Sequence, residues 1–576
     1  MMKVFVGLLA AVLFFTGSLK SAIAQDAAFD IVRFQVEGNT ILAADRVQVL
    51  VEPFVGKRKV YGDVQKALEA LENEFRRLGF GTVQVYVPEQ ELTTGVVRLQ
   101  VSEGVVGKVT ITGNKHFDNA NVRASLPQLK EGAAPNMRQL SENVQLANES
   151  PAKQLEVTLG VSEDEGKVDV KVEVKEEDPE RFYVTLDNSG TKATGKHRVG
   201  VSYQNANIAN SDQVLTLAYT TAVDPPGGMK ILSSRVFPWQ DDSGVKVDIF
   251  SVGYRLPLYS IGDSIDFIYG NSSTNTPSTT PTLGAGLAIN GKGEVFGLRY
   301  NHIFPRSGEY TSRLVLGFDY KYMNSRCTNP ATGAPFTIDP PTATAGCTPH
   351  TFRPVSATYS GQWQKPGEAI DFNIGFVHHL FPMGTEYAFV PAAPGVGGTD
   401  RYSGPSGYRI KDEFSALRYG GSYATAIAGD WLLRVAANGQ HANNALPAGE
   451  RLGLAGLNAV RGFLERAVAV DRGLVANLEA YSPDIAAGLG VPGNLKWLVF
   501  FDAARGFNLS PVNFGVPSNQ KVNIASLGLG LRYNLKKDIS ARVDIARVMD
   551  GVWPNGAPNV ALDGDIRGHF ALAFGF

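Results

Sequence analysis

Between Tyr61 and Leu78 the apolar residues Val64, Ala67, Leu68, Leu71, Phe75 and Leu78 recur at steps of three and four. This spacing predicts one buried helical face, and Gly79 follows as a stop signal. The valine-rich runs Phe80–Val87 and Val96–Val101, bounded by turn residues, predict strands. Residues 29–104 therefore read strand, helix, helix, strand, strand. The same order then recurs. An alternating strand running into Gly-Asn, Ile31 to Asn39, is echoed by Val106 to Asn114. Helical stretches over 119–126 and 137–148 and strands over 154–161 and 167–174 complete the second copy. Two α+β repeats of roughly 75 residues are expected, over 25–104 and 105–177.

After Glu176-Glu177-Asp178-Pro179-Glu180 the helical period disappears. Leu314, Leu316, Phe318, Tyr320 and Tyr322 alternate with Arg313, Val315, Gly317, Asp319 and Lys321. Ile370, Phe372, Ile374 and Phe376 alternate with Asp371, Asn373 and Gly375. Leu495, Trp497, Val499 and Phe501 alternate with Lys496, Leu498, Phe500 and Asp502. One face of a soluble sandwich would need a cover that the chain does not supply. A closed barrel resolves this, with the apolar face toward lipid and the polar face toward a hydrated lumen. The roughly 400 remaining residues, at about 25 per strand with its loops, predict about 16 antiparallel transmembrane strands over 178–576. The chain stops on Phe576, at the end of the alternating run Phe570-Ala571-Leu572-Ala573-Phe574-Gly575. Such an aromatic end looks like the terminal strand of a bacterial outer-membrane barrel.

Composition supports that class. Charged residues are 19%, below the soluble average of about 25%, while glycine (62 residues) and aromatics (10%) are plentiful. Mean hydropathy is −0.08, which argues against a polytopic helical protein. Fifty-four basic and 56 acidic residues leave no nucleic-acid footprint. Lys3, the apolar run Val4 to Phe15 and Ala22-Ile23-Ala24 form an export signal over residues 1–24, with Gln25 as the mature start. Cys327 and Cys347 bracket a Pro/Thr/Ala-rich segment, and in an oxidising compartment they read as a loop disulfide. Two thiols with no nearby histidine cluster do not make a zinc site.

Enzyme signatures fail one by one. Gly190 to Lys196 has phosphate-loop spacing, but His197 stands where Ser or Thr should, and flanking strands leave no helix N-terminus. His378-His379 has no local carboxylate, and neither H-E-x-x-H nor G-x-S-x-G occurs. No catalytic residue, cofactor or metal is assigned. The informative segment is the long loop from Leu446 to about Asp471, with Val460-Arg461-Gly462-Phe463 at its tip. Folded inward, Arg461 would need a carboxylate, and the lumen-facing Asp502 could supply a bidentate pair. An exposed loop with a solvated Arg461 is the alternative. Glu450, Asp471 and Glu479 are the candidate supports of the loop, and Phe500 lies beside Asp502 on the lumen face.

Taken together, two polypeptide-transport-associated (POTRA) repeats, a barrel of about 16 strands and a Val-Arg-Gly-aromatic loop resemble the outer-membrane transporters of two-partner secretion, the haemolysin secretion/activation family. Gly38-Asn39-Thr40, Phe75-Arg76-Arg77-Leu78-Gly79-Phe80, Val87-Pro88-Glu89-Gln90, Gly95-Val96-Val97-Arg98-Leu99 and Glu103-Gly104 sit where the family's repeat has them. Phe500-Phe501-Asp502 matches its Phe-x-Asp pattern. The resemblance implies periplasmic repeats that bind a secreted haemolysin- or adhesin-type partner, translocation of that partner unfolded through the barrel, residence in outer-membrane lipid, and insertion by the barrel-assembly machinery. It implies an Arg461–Asp502 contact in the lumen. Outer-membrane protein assembly is the alternative function within the superfamily. The sequence departs from the family at Ala504, where glycine is usual, and in leaving no room for a plug helix ahead of the first repeat.

Overall fold

The computed structural model describes residues 28–91, 94–190, 195–224, 247–272, 293–323, 350–380, 414–444, 446, 448–509, 521–551, 561 and 563–576. The export signal, the segment ahead of the first repeat, the centre of the 190–196 turn and both cysteines lie outside these residues. The chain forms two compact units, one centred on the first repeat and one holding most of the second repeat together with the barrel.

The first repeat comprises β1 (Phe29–Ile31), β2 (Arg33–Glu37), α1 (Ala44–Val51), β3 (Gly56–Lys59), α2 (Tyr61–Leu78), β4 (Gln84–Tyr86) and β5 (Val96–Ser102). β2, β5 and β4 form a sheet in that order, with β2 parallel and β4 antiparallel to β5. α2 buries Val64, Ala67, Leu71 and Phe75 in one core with Val97 and Leu99 of β5. Two details differ from the sequence reading. The first strand breaks at exposed Val32, and its leading part, β1, pairs with the extra strand β3. The strand expected from Phe80 begins only at Gln84, because Gly79 to Thr82 cap α2 and turn the chain.

Pro88 and Gln90 have a clear local job. Beyond Tyr86, β4 no longer pairs with β5, and Pro88 has no N–H to donate. The Gln90 side-chain amide takes over, donating to the Arg98 carbonyl at 2.7 Å and accepting from the Arg98 N–H at 2.7 Å. Glu74 on α2 joins the helices by binding Arg46 of α1 and Arg77 one turn on. These guanidinium bonds hold its pKa at about 2, far below the usual value of 4.5. A depressed carboxylate adds stability that is complete above its unfolded value and is lost as pH falls toward its folded value. Amide exchange of α2 in the intact protein, corrected for intrinsic rates, is therefore expected to rise between about pH 4.5 and pH 2. Glu74→Gln should remove that dependence.

The second repeat has β6 (Val105–Thr112), α3 (Asn119–Ser125), α4 (Met137–Ala147), β7 (Lys153–Val161) and β8 (Lys167–Glu176), with sheet order β6-β8-β7. The order matches that of the first repeat: opening strand, last strand, middle strand. The shared Gly-Asn is structural in both. Gly38 and Gly113 have positive φ, and a Cβ at either would run into a strand carbonyl, that of Val101 or Val174. Asn39 then bonds the backbone of Leu42, and Asn114 that of Phe117. A carboxylate receives the freed N–H groups in each case: Glu103 binds Thr40, and Glu176 binds Lys115, His116 and Phe117.

The remainder is a closed antiparallel barrel of 16 strands, in which His350–Phe352 and Pro354–Lys365 are two parts of one stave against Tyr310–Met323. Strand Ile566–Gly575 closes on strand Glu180–Asp187, with Ala571 opposite Asp187 and Gly575 opposite Tyr183. Phe576 extends the seam by exchanging backbone bonds with Phe182. Outward positions carry exposed apolar side chains in lateral register: Trp497 beside Leu531, Val499 beside Leu529, Phe501 beside Leu527. So continuous an apolar band is a lipid-facing surface. The alternate positions Leu498, Phe500, Asp502 and Ala504 are buried on the inner side.

Candidate functional site

The site lies on the inner wall, where the loop between strands Trp431–Ala442 and Arg472–Tyr481 enters the barrel. This loop is a folded hairpin rather than a slack connection. Leu452–Gly453 pairs antiparallel with Ala469–Val470 as its stem, and Ala455 bridges to Val460 near the tip. Leu454, Val460, Phe463, Val468 and Val470 are at most 2% exposed and pack with Val522, Ile524 and Val548 of the wall. Ala504 belongs to the same cluster, so its methyl group, where the family usually has glycine, contributes to the apolar bed under the loop.

Arg461 is 1% exposed and makes the contacts that define the tip. Its Nε and Nη2 each donate to one oxygen of Asp502 at 2.7 Å, a bidentate pair, and its backbone N–H adds a third bond at 3.1 Å. Glu479 lies 2.9 Å from Nη2 and Asp544 lies 3.5 Å from Nη1. The guanidinium stacks 3.4 Å above the Phe500 ring centroid, a cation–π contact in a desolvated setting. Asn477 steadies the pair by donating both to Asp502 at 2.8 Å and to the Ala459 carbonyl at 2.9 Å. Three buried carboxylates around one arginine would leave excess negative charge. Arg434 on Glu479, and Arg532 and Arg542 on Asp544, offset it.

Gly462 is the point of closest approach. Its φ is +95°, and a Cβ would meet Val548 at 3.3 Å and Ala546 at 3.4 Å. Its N–H donates to Nε2 of buried His569 on the last strand, at 2.9 Å. The tip thereby touches strands Arg472–Tyr481, Asn494–Phe507, Ile539–Asp550 and Ile566–Gly575 at once.

The base of the loop is held separately. Glu450 bonds Lys321 and Arg418, each at 2.6 Å. Asp471 accepts from the backbone N–H groups of Leu446 and Leu509 and from Arg451. Glu479, grouped with them on sequence, acts instead at the tip. Asp544, His569, Arg532 and Arg542 were not singled out by sequence. Each is a single polar residue at an inward position, and only barrel register shows that they converge.

Comparison with known proteins fits this geometry. Residues 29–104 match the POTRA domain of ShlB type, and residues 166–330 and 371–508 match the haemolysin secretion/activation protein family ShlB/FhaC/HecB. The chain belongs to this family. It is an outer-membrane transporter of two-partner secretion, with its POTRA region in the periplasm. The transporter is 19% identical to the heme/hemopexin transporter protein HuxB of Haemophilus influenzae over 542 residues, covering 91% of this chain and 85% of that protein. The outer membrane transporter CdiB of Escherichia coli is 23% identical over 308 residues, 53% of this chain and 48% of its own. The fold is that of the solved CdiB structures. The Escherichia coli protein has a TM-score of 0.65 at 18% identity, covering 96% of this chain and 92% of its own. The Acinetobacter baumannii protein has 0.63 at 15%, covering 96% and 91%.

Proposed function

We propose that the transporter captures one haemolysin- or adhesin-type exoprotein in the periplasm as an extended chain and passes it outward through the lumen, with the 446–471 loop as the element that must be correctly seated for passage. Strands β4 and β7 lie at sheet edges, and an extended segment can add to such an edge through backbone hydrogen bonds. Folding of the partner outside the cell supplies the direction of movement. Strand Ile566–Gly575, which closes the barrel on Glu180–Asp187, is the segment through which the barrel-assembly machinery inserts the protein into outer-membrane lipid. The observation that carries the reading is the buried Arg461–Asp502 pair, which holds the tip of a long loop against the inner wall of the barrel.

The test is a paired comparison of culture supernatant and outer membrane with and without the gene. Loss of one large exoprotein from the supernatant, with unchanged outer-membrane barrels, is expected. An unchanged supernatant with several barrels depleted would mean that the protein assembles membrane proteins instead.

A further inference from the structure

Among the described residues, the most heavily buried ion pair outside the loop lies between the second repeat and the barrel, within one compact unit. Lys153, at the start of β7, has a fully buried side chain. Its Nζ lies 2.5 Å from Oδ2 of Asp212, 2.8 Å from Oδ1 of Asn121 and 3.3 Å from Oγ of Ser125, and it sits 5.1 Å from the Phe117 ring centroid. Asp212 belongs to the short barrel turn after strand Arg198–Ile208. Tyr259, in the next turn on the same rim, donates its hydroxyl to Asp212 at 2.6 Å. Asn121 donates to the other Asp212 oxygen at 2.9 Å and to the Asn210 carbonyl at 3.0 Å, and Asn143 of α4 donates to the Tyr259 carbonyl at 2.6 Å. Around this centre Glu149 pairs with Arg255 and Arg313, and the Pro151 carbonyl accepts from Lys537.

Two features show that this is more than surface contact. Ala209, Asn210 and Asp212 all have positive φ, at 53°, 53° and 58°. Three such non-glycine residues in one short turn persist only where surrounding contacts over-determine the backbone. Burial also lowers the Lys153 pKa by more than Asp212 raises it. The pair is therefore a poor source of net stability, which directs attention to the orientation it fixes.

We propose that Lys153 and Asp212 are positioning residues for transport: they latch the second repeat onto the periplasmic rim in a single orientation, and secretion proceeds with that latch closed. The latch rests on the transport reading above. It presents β7, an edge strand, beside the barrel mouth, so that a captured segment is delivered where the lumen begins.

The test uses the full-length transporter with its secreted partner. Lys153→Asp is expected to cut secretion at least tenfold, and the double variant Lys153→Asp/Asp212→Lys to recover most of it. In every variant, heat-modifiable gel migration should report a folded barrel. In parallel, the variant Pro151→Cys/Lys537→Cys, in a chain that also carries Cys327→Ser and Cys347→Ser, is crosslinked between the two new thiols by a short bis-thiosulfonate. Secretion should continue with the crosslink in place. Near-normal secretion by Lys153→Asp, with the second repeat displaced, would overturn the proposal, as would a block on crosslinking that reduction reverses. Loss of secretion in Lys153→Asp without recovery in the charge swap would also count against it. Failure of the transport reading itself is separable, because no exoprotein would then be missing from the gene-deletion supernatant.

Discussion

Replacing Arg461 with alanine is expected to lower the amount of exported partner at least about tenfold while the barrel still assembles. Removing one member of a buried pair leaves the other charge uncompensated, at a cost of about 3–5 kcal/mol. Asp502 would be that charge, with Asp544 and Glu479 close by. At about 1.4 kcal/mol per factor of ten, the ratio of seated to unseated tip should fall by about two orders of magnitude or more. The base of the loop should stay in place, since Glu450 and Asp471 hold it through other partners. Arg461→Lys should rescue poorly, because an ammonium cannot make the bidentate bond or stack on Phe500 as a guanidinium does. Labelling of a cysteine at Ala459 by an external maleimide reports the tip, and supernatant assay reports export. Normal export with an exposed tip would remove the loop from the transport account.

Substituting valine at Gly462 should have a comparable effect by a purely steric route. The left-handed backbone costs a non-glycine residue about 1–2 kcal/mol, and a β-branched side chain suffers more than alanine. Here the Cβ also has no free space, with Val548 and Ala546 within 3.4 Å. The tip must lift from the wall, and the bond from its N–H to His569 is lost with it. No charge changes, so a defect of the same kind as in Arg461→Ala would tie export to the seating of the tip rather than to the arginine's charge. Gly462→Ala should be milder. Equal export by wild type and Gly462→Val would show that tip seating does not matter.

How far the sequence carried the architecture depended on whether the relevant signal was local. Helix α2 was readable residue by residue, because its four buried apolar positions sit on one face and Gly79 ends it. The inward and outward faces of the barrel were equally legible, since lipid and a hydrated lumen impose opposite demands on alternate residues. The break between β1 and β2 and the extra strand β3 were missed because segments this short show no period. At the site, the Arg461 tip and Asp502 stood out through the long loop and strand parity, and again through the family pattern. The ring of Asp544, His569, Arg532 and Arg542 did not. Those residues lie about 70 to 110 positions from the tip in sequence and meet it only because the strands close into a barrel with one register. Gln90 was visible as part of a pattern, yet its work as a substitute strand residue for Arg98 depends on where β4 stops.

Photo-crosslinking of the partner during export tests the central claim most directly. A photoreactive residue is placed in turn at Asp371 and Asn373, which face the lumen, and at Ile374 and Phe376, which face lipid on the same strand. Passage through the lumen predicts partner adducts at 371 and 373 and none at 374 and 376. Adducts confined to the lipid-facing positions, or equal at both sets, would contradict a route through the barrel interior.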